Sequence, residues 1–396
     1  LESLIDELAN KLSMDPAELR MKNYTEYGNQ ESKIPYSAKN LDKCIATVVE
    51  KSDWAKKRRM YLIENKTASP LKRGIGLAAY IYEGVGLPPF KANATVYVNR
   101  EGLADVYCGF VDIGGGQATM AKMLVAEELG MRLDQVNVHW GDTDQTEYSP
   151  GTHASRMTAE MGPAILQAAY KARKKVFEIA SKTLGVAFED LRSALGKIYS
   201  KSQPDISITF EEVCKDIKDG ERIEGKGSRL ANPNNVAFKT FGAQVAEVEV
   251  DIETGAVKVL RITAAHELGR ALNPKMCISQ QFGAITMGLG FAMFESPAID
   301  SKTGIILNSD LHQYRMVSPL EVPEIVPYFI EANDPYFAYS AKGVGEAPLV
   351  PVAAAIRNAI FNATGAKIFS APMTPDVVVN AIEKQEQRTE LKEIAV

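Results

Sequence analysis

Cysteine is scarce in this 396-residue chain: Cys44, Cys108, Cys214 and Cys277 lie far apart, with no Cys-x-x-Cys pair. That spacing gives no cysteine-ligated iron–sulfur cluster of the chain's own and no disulfide framework. Free, mostly buried thiols in a reducing compartment are the simplest reading, with a cytoplasmic location expected. The histidines, His139, His153, His266 and His312, show neither His-x-His nor His-Glu-x-x-His spacing, so a histidine-bound metal finds no support. Without a Gly-x-Ser-x-Gly elbow or an evident Cys/His pair, covalent hydrolase chemistry has none either. No apolar run reaches the roughly 20 residues that span a bilayer. The opening LESLIDELANKLSMDPAELRMKN mixes acidic and basic groups and lacks the basic and apolar regions of a signal peptide. No long basic run occurs, and 45 basic against 50 acidic residues give a net charge of −5, so nucleic acid is not an expected partner.

What is present is a 45% hydrophobic chain, enough for a sizeable core and two lobes. Residues 2–22 read as one or two helices, with Asp15 as a cap and Pro16 in the first turn. LDKCIATVVEKSDWAKKRRMYLIEN, from 41, keeps helical spacing. GIGLAAYIY, ATVYVNREG and ADVYCGFVD are rich in β-branched and aromatic residues and read as antiparallel strands. A helix ended by Gly130 follows at 117, then a short strand over 136–142 and a long helix from about 157 to 183. Beyond 205 come a short helix after a Thr209 cap, a strand–turn–strand over 243–269, a glycine-rich helix over 273–295, an apolar helix from 349 and a terminal helix from 375. This order predicts an α+β fold of two related lobes of mixed sheets with packed helices, divided as 1–200 and 201–396.

Four glycine-bearing connections each precede a helix: DIGGGQAT (112–119), SPGTHASRMT (149–158), NPKMCISQQFG (273–283) and KGVGEAPLV (342–350). Glycine lets a ligand approach the backbone closely, and free amides at a helix start favour an anion. No single connection matches the dinucleotide fingerprint or the P-loop. Converging, the four would suit a large, polyanionic, hydrogen-bonding cofactor. Ser155 and Arg156 lie in the second connection, where a capping serine and a solvated arginine are the plain alternative. Gln280 and Gln281 lie in the apolar third helix, where a buried amide needs partners at both ends unless one of them faces solvent.

Glu346 stands behind Gly343 and Gly345 and before an almost wholly apolar segment that ends at Arg357. Two readings are open. An acid at a helix start is stabilised by the macrodipole by about 0.3–1 kcal/mol. Alternatively the glycines aim a carboxylate from a loop carried into the interior, where burial raises its proton affinity for use.

KGVGEAPLVPVAAAIRNAI resembles the catalytic-glutamate motif of the xanthine dehydrogenase/aldehyde oxidase family, the molybdenum hydroxylases. ESLIDELANKLSMDPAELRMKN, DIGGGQATMAKMLVAEELGM, SPGTHASRMTAEMG and the stretch from FGAQVAEVEVDIETG to GLGFAMFE resemble further family segments in the family's order, over about residues 2–385. The resemblance implies the C-terminal half of a molybdopterin-binding subunit, its two lobes both molybdopterin-binding and the second carrying the Gly-Val-Gly-Glu motif. It implies molybdopterin in the cytosine dinucleotide form, with molybdenum held by the pterin dithiolene and no protein metal ligand. By motif position Gly114, Gly115 and Gly116 would line the pterin through their amides, with Ala154, Ser155 and Arg156 around the cofactor, Gln280 beside it, and Gly343 and Gly345 shaping the loop of Glu346. Glu346 would be the general base, taking a proton from molybdenum-bound hydroxide as water-derived oxygen attacks an electrophilic carbon.

The resemblance implies oxidative hydroxylation of a small N-heterocycle, purine-like or nicotinate-like, or of an aldehyde. A reductive aromatic-thioester dehydroxylase of the same family and a catalytically silent structural or assembly homologue remain alternatives. The expected partners are the N-terminal half of the molybdenum subunit, as a separate chain or a segment, a subunit with two 2Fe–2S clusters, and a subunit with FAD. Gly115 departs from the family's usual Gly-Gln-Gly, a place Gln117 could serve, and Ala347 replaces a common Pro.

Overall fold

The computed structural model describes residues 1–83, 91–149, 151–218, 220–229, 233 and 235–394, the side chains of 388–394 excepted; Pro150 of the second connection lies outside these. The helices α1 (Glu2–Lys11) and α2 (Pro16–Lys22) part at the expected cap: the Ala17 amide donates to the Asp15 carboxylate at 2.8 Å. A hairpin of β1 (Tyr27–Asn29) and β2 (Ile34–Pro35) leads to α3 (Leu41–Lys51) and α4 (Trp54–Glu64). Then come β3 (Leu71–Tyr82), β4 (Ala92–Val98) and β5 (Ala104–Cys108). Next is α5 (Gln117–Leu129), closed by left-handed Gly130 at φ 71°. It is followed by β6 (Val136–Trp140) and the long α6 (Met157–Leu184). A small sheet of β7 (Leu191–Ala194), β8 (Lys197–Ser200) and β9 (Ser207–Thr209) precedes α7 (Phe210–Cys214), whose Thr209 and Glu212 form a capping box. The chain continues through β10 (Ile223–Arg229), β11 (Thr240–Asp251), β12 (Val257–Gly269) and α8 (Pro274–Met293). It closes with β13 (Glu324–Glu331), α9 (Val352–Thr364) and α10 (Pro375–Ile394).

Two four-stranded sheets organise these elements, ordered β10-β4-β5-β6 and β13-β12-β11-β3. The first packs against α5 and α6 around Val96, Val106, Leu124 and Ile165. The second is covered on both faces. Ala246, Val248 and Ile262 pack with Ile285 of α8 and Ile356 of α9, while Val245, Leu77 and Phe241 pack with Ile45, Val48 and Trp54 of α3 and α4.

Strand pairing differs from the expectation in one respect. β4 and β5 are antiparallel, but β3 leaves them and pairs with β11 along its whole length, from Leu71 opposite Asp251 to Tyr82 opposite Thr240. Gly74 and Gly76 explain its place: a Cβ at either would lie within 2.1 Å of the Ala359 backbone, so only glycine admits α9. β10 in turn crosses back to pair with β4. The sheets therefore do not follow a division of the chain at residue 200. Among the described residues no helix is long and apolar enough to cross a membrane.

Candidate active site

All four glycine-bearing connections meet at one cavity of about 420 Å³. Its wall contains Gly114, Gly115, Gly116, Ser155, Arg156, Gln280, Gly343, Gly345 and Glu346; Ala154 stands just outside the lining. The sequence could name these loops but not bring them together. β5 delivers the first, the start of α6 the second, α8 the third and the return from β13 the fourth.

The first loop is wound around Asp112. Its Oδ1 accepts from the amides of Gly114 and Gly116 at 3.0 and 3.2 Å, and its Oδ2 from Ala118 at 3.0 Å. This corrects the expectation that those glycine amides are free for a ligand: the loop's own carboxylate already occupies them. What the loop offers instead is space and a side chain. A Cβ on Gly114 would meet nothing within 4 Å, and a Cβ on Gly115 would lie 2.5 Å from the Gln117 amide nitrogen. The Gln117 side chain thus folds over Gly115, and its buried Oε1 has no hydrogen-bond partner among the described residues.

In the second connection Ala154 and Ser155 both hold φ of 54°, a left-handed pair rare outside glycine. Ser155 does not cap α6; its Oγ accepts from the Glu346 amide at 2.6 Å. Arg156 is buried rather than solvated, reaching the Gly151 carbonyl at 3.3 Å and His153 Nε2 at 2.7 Å, with Glu160 at 3.9 Å. Burial pushes Glu160 up to about 7, against the opposing pull of Arg156 and Arg229. On α8, Gln280 lines the cavity, while Gln281 is fully buried with neither end of its amide partnered among the described residues. The third helix thus turns Gln280, not Gln281, to the cavity.

Gly343 cannot be replaced in place, because a Cβ there would sit 1.5 Å from the Ser155 carbonyl oxygen. Gly345 is milder, 3.3 Å from the Gln280 side chain. Just before them the loop is anchored by a buried ion cluster. The Lys342 ammonium is wholly buried between Glu267 and Asp334, 3.2 Å from each, and donates to the Lys239 carbonyl at 3.0 Å. A lone lysine before an apolar run was the available signal.

The Glu346 side chain makes no cap hydrogen bond, although the residue opens the turn Ala347–Leu349. Its Oε2 accepts instead from the Tyr82 hydroxyl at 3.1 Å. Burial, then the Glu346 charge, push Tyr82 up to about 12, so the phenol remains a donor at neutral pH. The carboxylate is exposed at the cavity mouth, which corrects the expectation of an interior position. The turn behind it is buried at Ala347 and Pro348, but the side chain points the other way.

Glycine loops, a hydrogen-bonding lining and one exposed carboxylate give this cavity the character of a polar-ligand site. The chain belongs to the molybdopterin cofactor-binding domain family, which matches residues 47–323. It is 33% identical over 386 residues to the xanthine dehydrogenase molybdenum-binding subunit of Escherichia coli O157:H7, covering 95% of this chain and 50% of that protein. It is 31% identical to the aldehyde oxidoreductase molybdenum-binding subunit PaoC of Escherichia coli strain K12, covering 96% and 50%. The chain therefore spans about half the length of these relatives. The fold matches that of quinoline 2-oxidoreductase from Pseudomonas putida 86, with a TM-score of 0.87 at 24% identity, over 96% of this chain and 51% of that one.

Proposed function

We propose that this chain is the cofactor-holding, proton-accepting part of a molybdenum hydroxylase that oxidises a small N-heterocycle or an aldehyde with water as the oxygen source. One observation carries the reading: the Glu346 carboxylate caps nothing and is held by Tyr82 at the mouth of the cavity that the four glycine connections enclose. A catalytically silent homologue would need Glu346 only as a helix cap.

The residues present fit molybdopterin. Among the described residues the lining offers the unpartnered Gln117 Oε1 and open space over Gly114, with Gln280 on the facing helix. Gln117 and Gln280 would hydrogen-bond the pterin and the glycines 114–116 would let it lie against the backbone, with Ser155 and Arg156 forming the adjoining wall. We assign the cofactor as the cytosine dinucleotide form. When bound, it supplies the two-electron redox chemistry of the hydroxylation. The protein's part is to place a base. Glu346 accepts the proton at a carboxylate oxygen, Tyr82 holds Oε2 so that Oε1 stays available, and Ser155 fixes the backbone amide. The remaining half of the molybdenum subunit, a 2Fe–2S subunit and an FAD subunit would complete a cytoplasmic complex and carry the electrons away.

The test is turnover of the native complex with a dye acceptor across aldehydes and N-heterocycles. Glu346→Gln is expected to keep molybdenum content and assembly while lowering kcat by about 10²–10⁴. Near-normal turnover in that variant would remove the base assignment.

A further inference from the structure

The loop carrying Glu346 is tied to the interior of the second sheet by a chain of side chains that plays no part in lining the cavity. Gln244 of β11 is fully buried, and its Nε2 lies 2.6 Å from the Pro348 carbonyl and 3.2 Å from His266 Nε2. A carbonyl oxygen only accepts, so the Gln244 amide nitrogen is the atom facing Pro348. An amide nitrogen only donates, so His266 Nε2 is the acceptor. The proton of His266 therefore sits on Nδ1, where it meets the Tyr80 hydroxyl at 3.0 Å. Complete burial holds His266 down at about 3, so the ring is neutral and this tautomer is the one the geometry requires.

Three strands supply the three residues: Tyr80 from β3, Gln244 from β11 and His266 from β12. Gly242 of β11 stands opposite both Tyr80 and His266 in the ladder. A Cβ on Gly242 would lie 2.2 Å from the Tyr80 ring and 2.3 Å from His266 Nδ1. The middle strand thus gives up a side chain there so that its neighbours can join across it. At the far end, Pro348 belongs to the turn in which the Leu349 amide donates to the Glu346 carbonyl at 3.1 Å. Fixing the Pro348 carbonyl fixes the backbone from which the Glu346 side chain leaves.

We infer that Tyr80, His266 and Gln244 form a buried positioning relay that sets the orientation of the Glu346 loop. None of the three faces the cavity, and each acts through the next. This rests on Glu346 as the proton acceptor for its catalytic meaning, but its test does not. Tyr80 is the informative member, because it touches His266 and not the loop. Loss of its hydroxyl releases the His266 tautomer. A proton moved to Nε2 would then face the Gln244 amide as donor against donor.

The experiment is hydrogen exchange, read by mass spectrometry, on the full chain with whatever subunits accompany it. The reporters are the amides of Glu346, Leu349 and Val350, in wild type, Tyr80→Phe, Gln244→Met and the double variant. Both substitutions keep side-chain volume, and far-ultraviolet dichroism checks that each variant is folded. Each single variant is expected to speed exchange at these amides by at least about tenfold, leaving β4–β6 unchanged. The double variant is expected to exchange no faster than the faster single one, because both break the same chain. Wild-type protection in Tyr80→Phe, or additive effects in the double variant, would overturn the relay. Should the amides respond as expected while Glu346→Gln keeps full turnover, the relay stands and the base assignment fails.

Discussion

Replacing Lys342 by methionine removes the only cation within ion-pair distance of Glu267 and Asp334 among the described residues, at a point where all three side chains are fully buried. Asp334 keeps two donors, the Ser37 hydroxyl at 2.6 Å and the Tyr336 amide at 3.3 Å, and Glu267 keeps one, the Gly269 amide at 2.8 Å, so Glu267 is the group left to relieve the charge. Burial already holds Glu267 above the ordinary carboxylate range, with Lys342 opposing that rise. Without the lysine the cheaper escape is protonation. The expected loss is about 3–5 kcal/mol at pH 7.5, the range for breaking a buried pair, and it is smaller at pH 5.5. The direction follows from the folded state binding the extra proton. Stability is present below the unfolded value and is lost as pH rises toward the raised one. Trp54 is 2% exposed in the core formed by β3, β11 and α3, so urea unfolding followed by tryptophan emission in a Trp140→Phe background reports the lobe concerned. A loss below about 1 kcal/mol at pH 7.5, or one that does not change with pH, would refute the account of this triad.

Other outcomes follow from the same geometry. Gly343→Ala should detach the loop from Ser155 and lower molybdenum retention in the purified complex, whereas Gly345→Ala, 3.3 Å from Gln280, should retain most of it; equal retention would contradict the close contact. Tyr82→Phe should lower kcat by about tenfold with KM little changed, since it orients Glu346 without contacting substrate; a change confined to KM would place Tyr82 in substrate binding instead. Glu160 is raised to about 7, so the wild type should lose stability from pH 4.5 to 7, on the order of 2–3 kcal/mol. Glu160→Gln should flatten that slope, and an unchanged pH profile in urea unfolding would rule Glu160 out as its source.

The parts of the fold legible in the sequence were those with local causes. Asp15 before Pro16, Thr209 three residues before Glu212, and Gly130 after an apolar helix each close a hydrogen-bonding account within a few residues. The strands β10 and β13 were not legible, because their residues answer distant needs. Gly225 and Gly227 weaken a strand signal, yet a Cβ at either would strike the α6 backbone within about 2.1 Å. β13 carries Pro327, which an edge strand tolerates because one side of it pairs with no other described strand. The same division holds at the site. The glycine connections and Glu346 could be read as local motifs. The partners that hold them, Tyr82 some 264 positions away and Glu267 some 75 positions from Lys342, are fixed only by the fold. The apolar run after Glu346 misled for a related reason: it reports the burial of the turn and α9, not the direction of the side chain that precedes them.

The central claim is that the cavity beside Glu346 holds molybdopterin. Its most direct test is metal and nucleotide analysis of the protein purified natively with its accompanying subunits. The account predicts roughly one molybdenum per chain, CMP released by acid, and iron in a partner subunit. A well-folded native complex without molybdenum would contradict it and leave Glu346 without a reaction to serve.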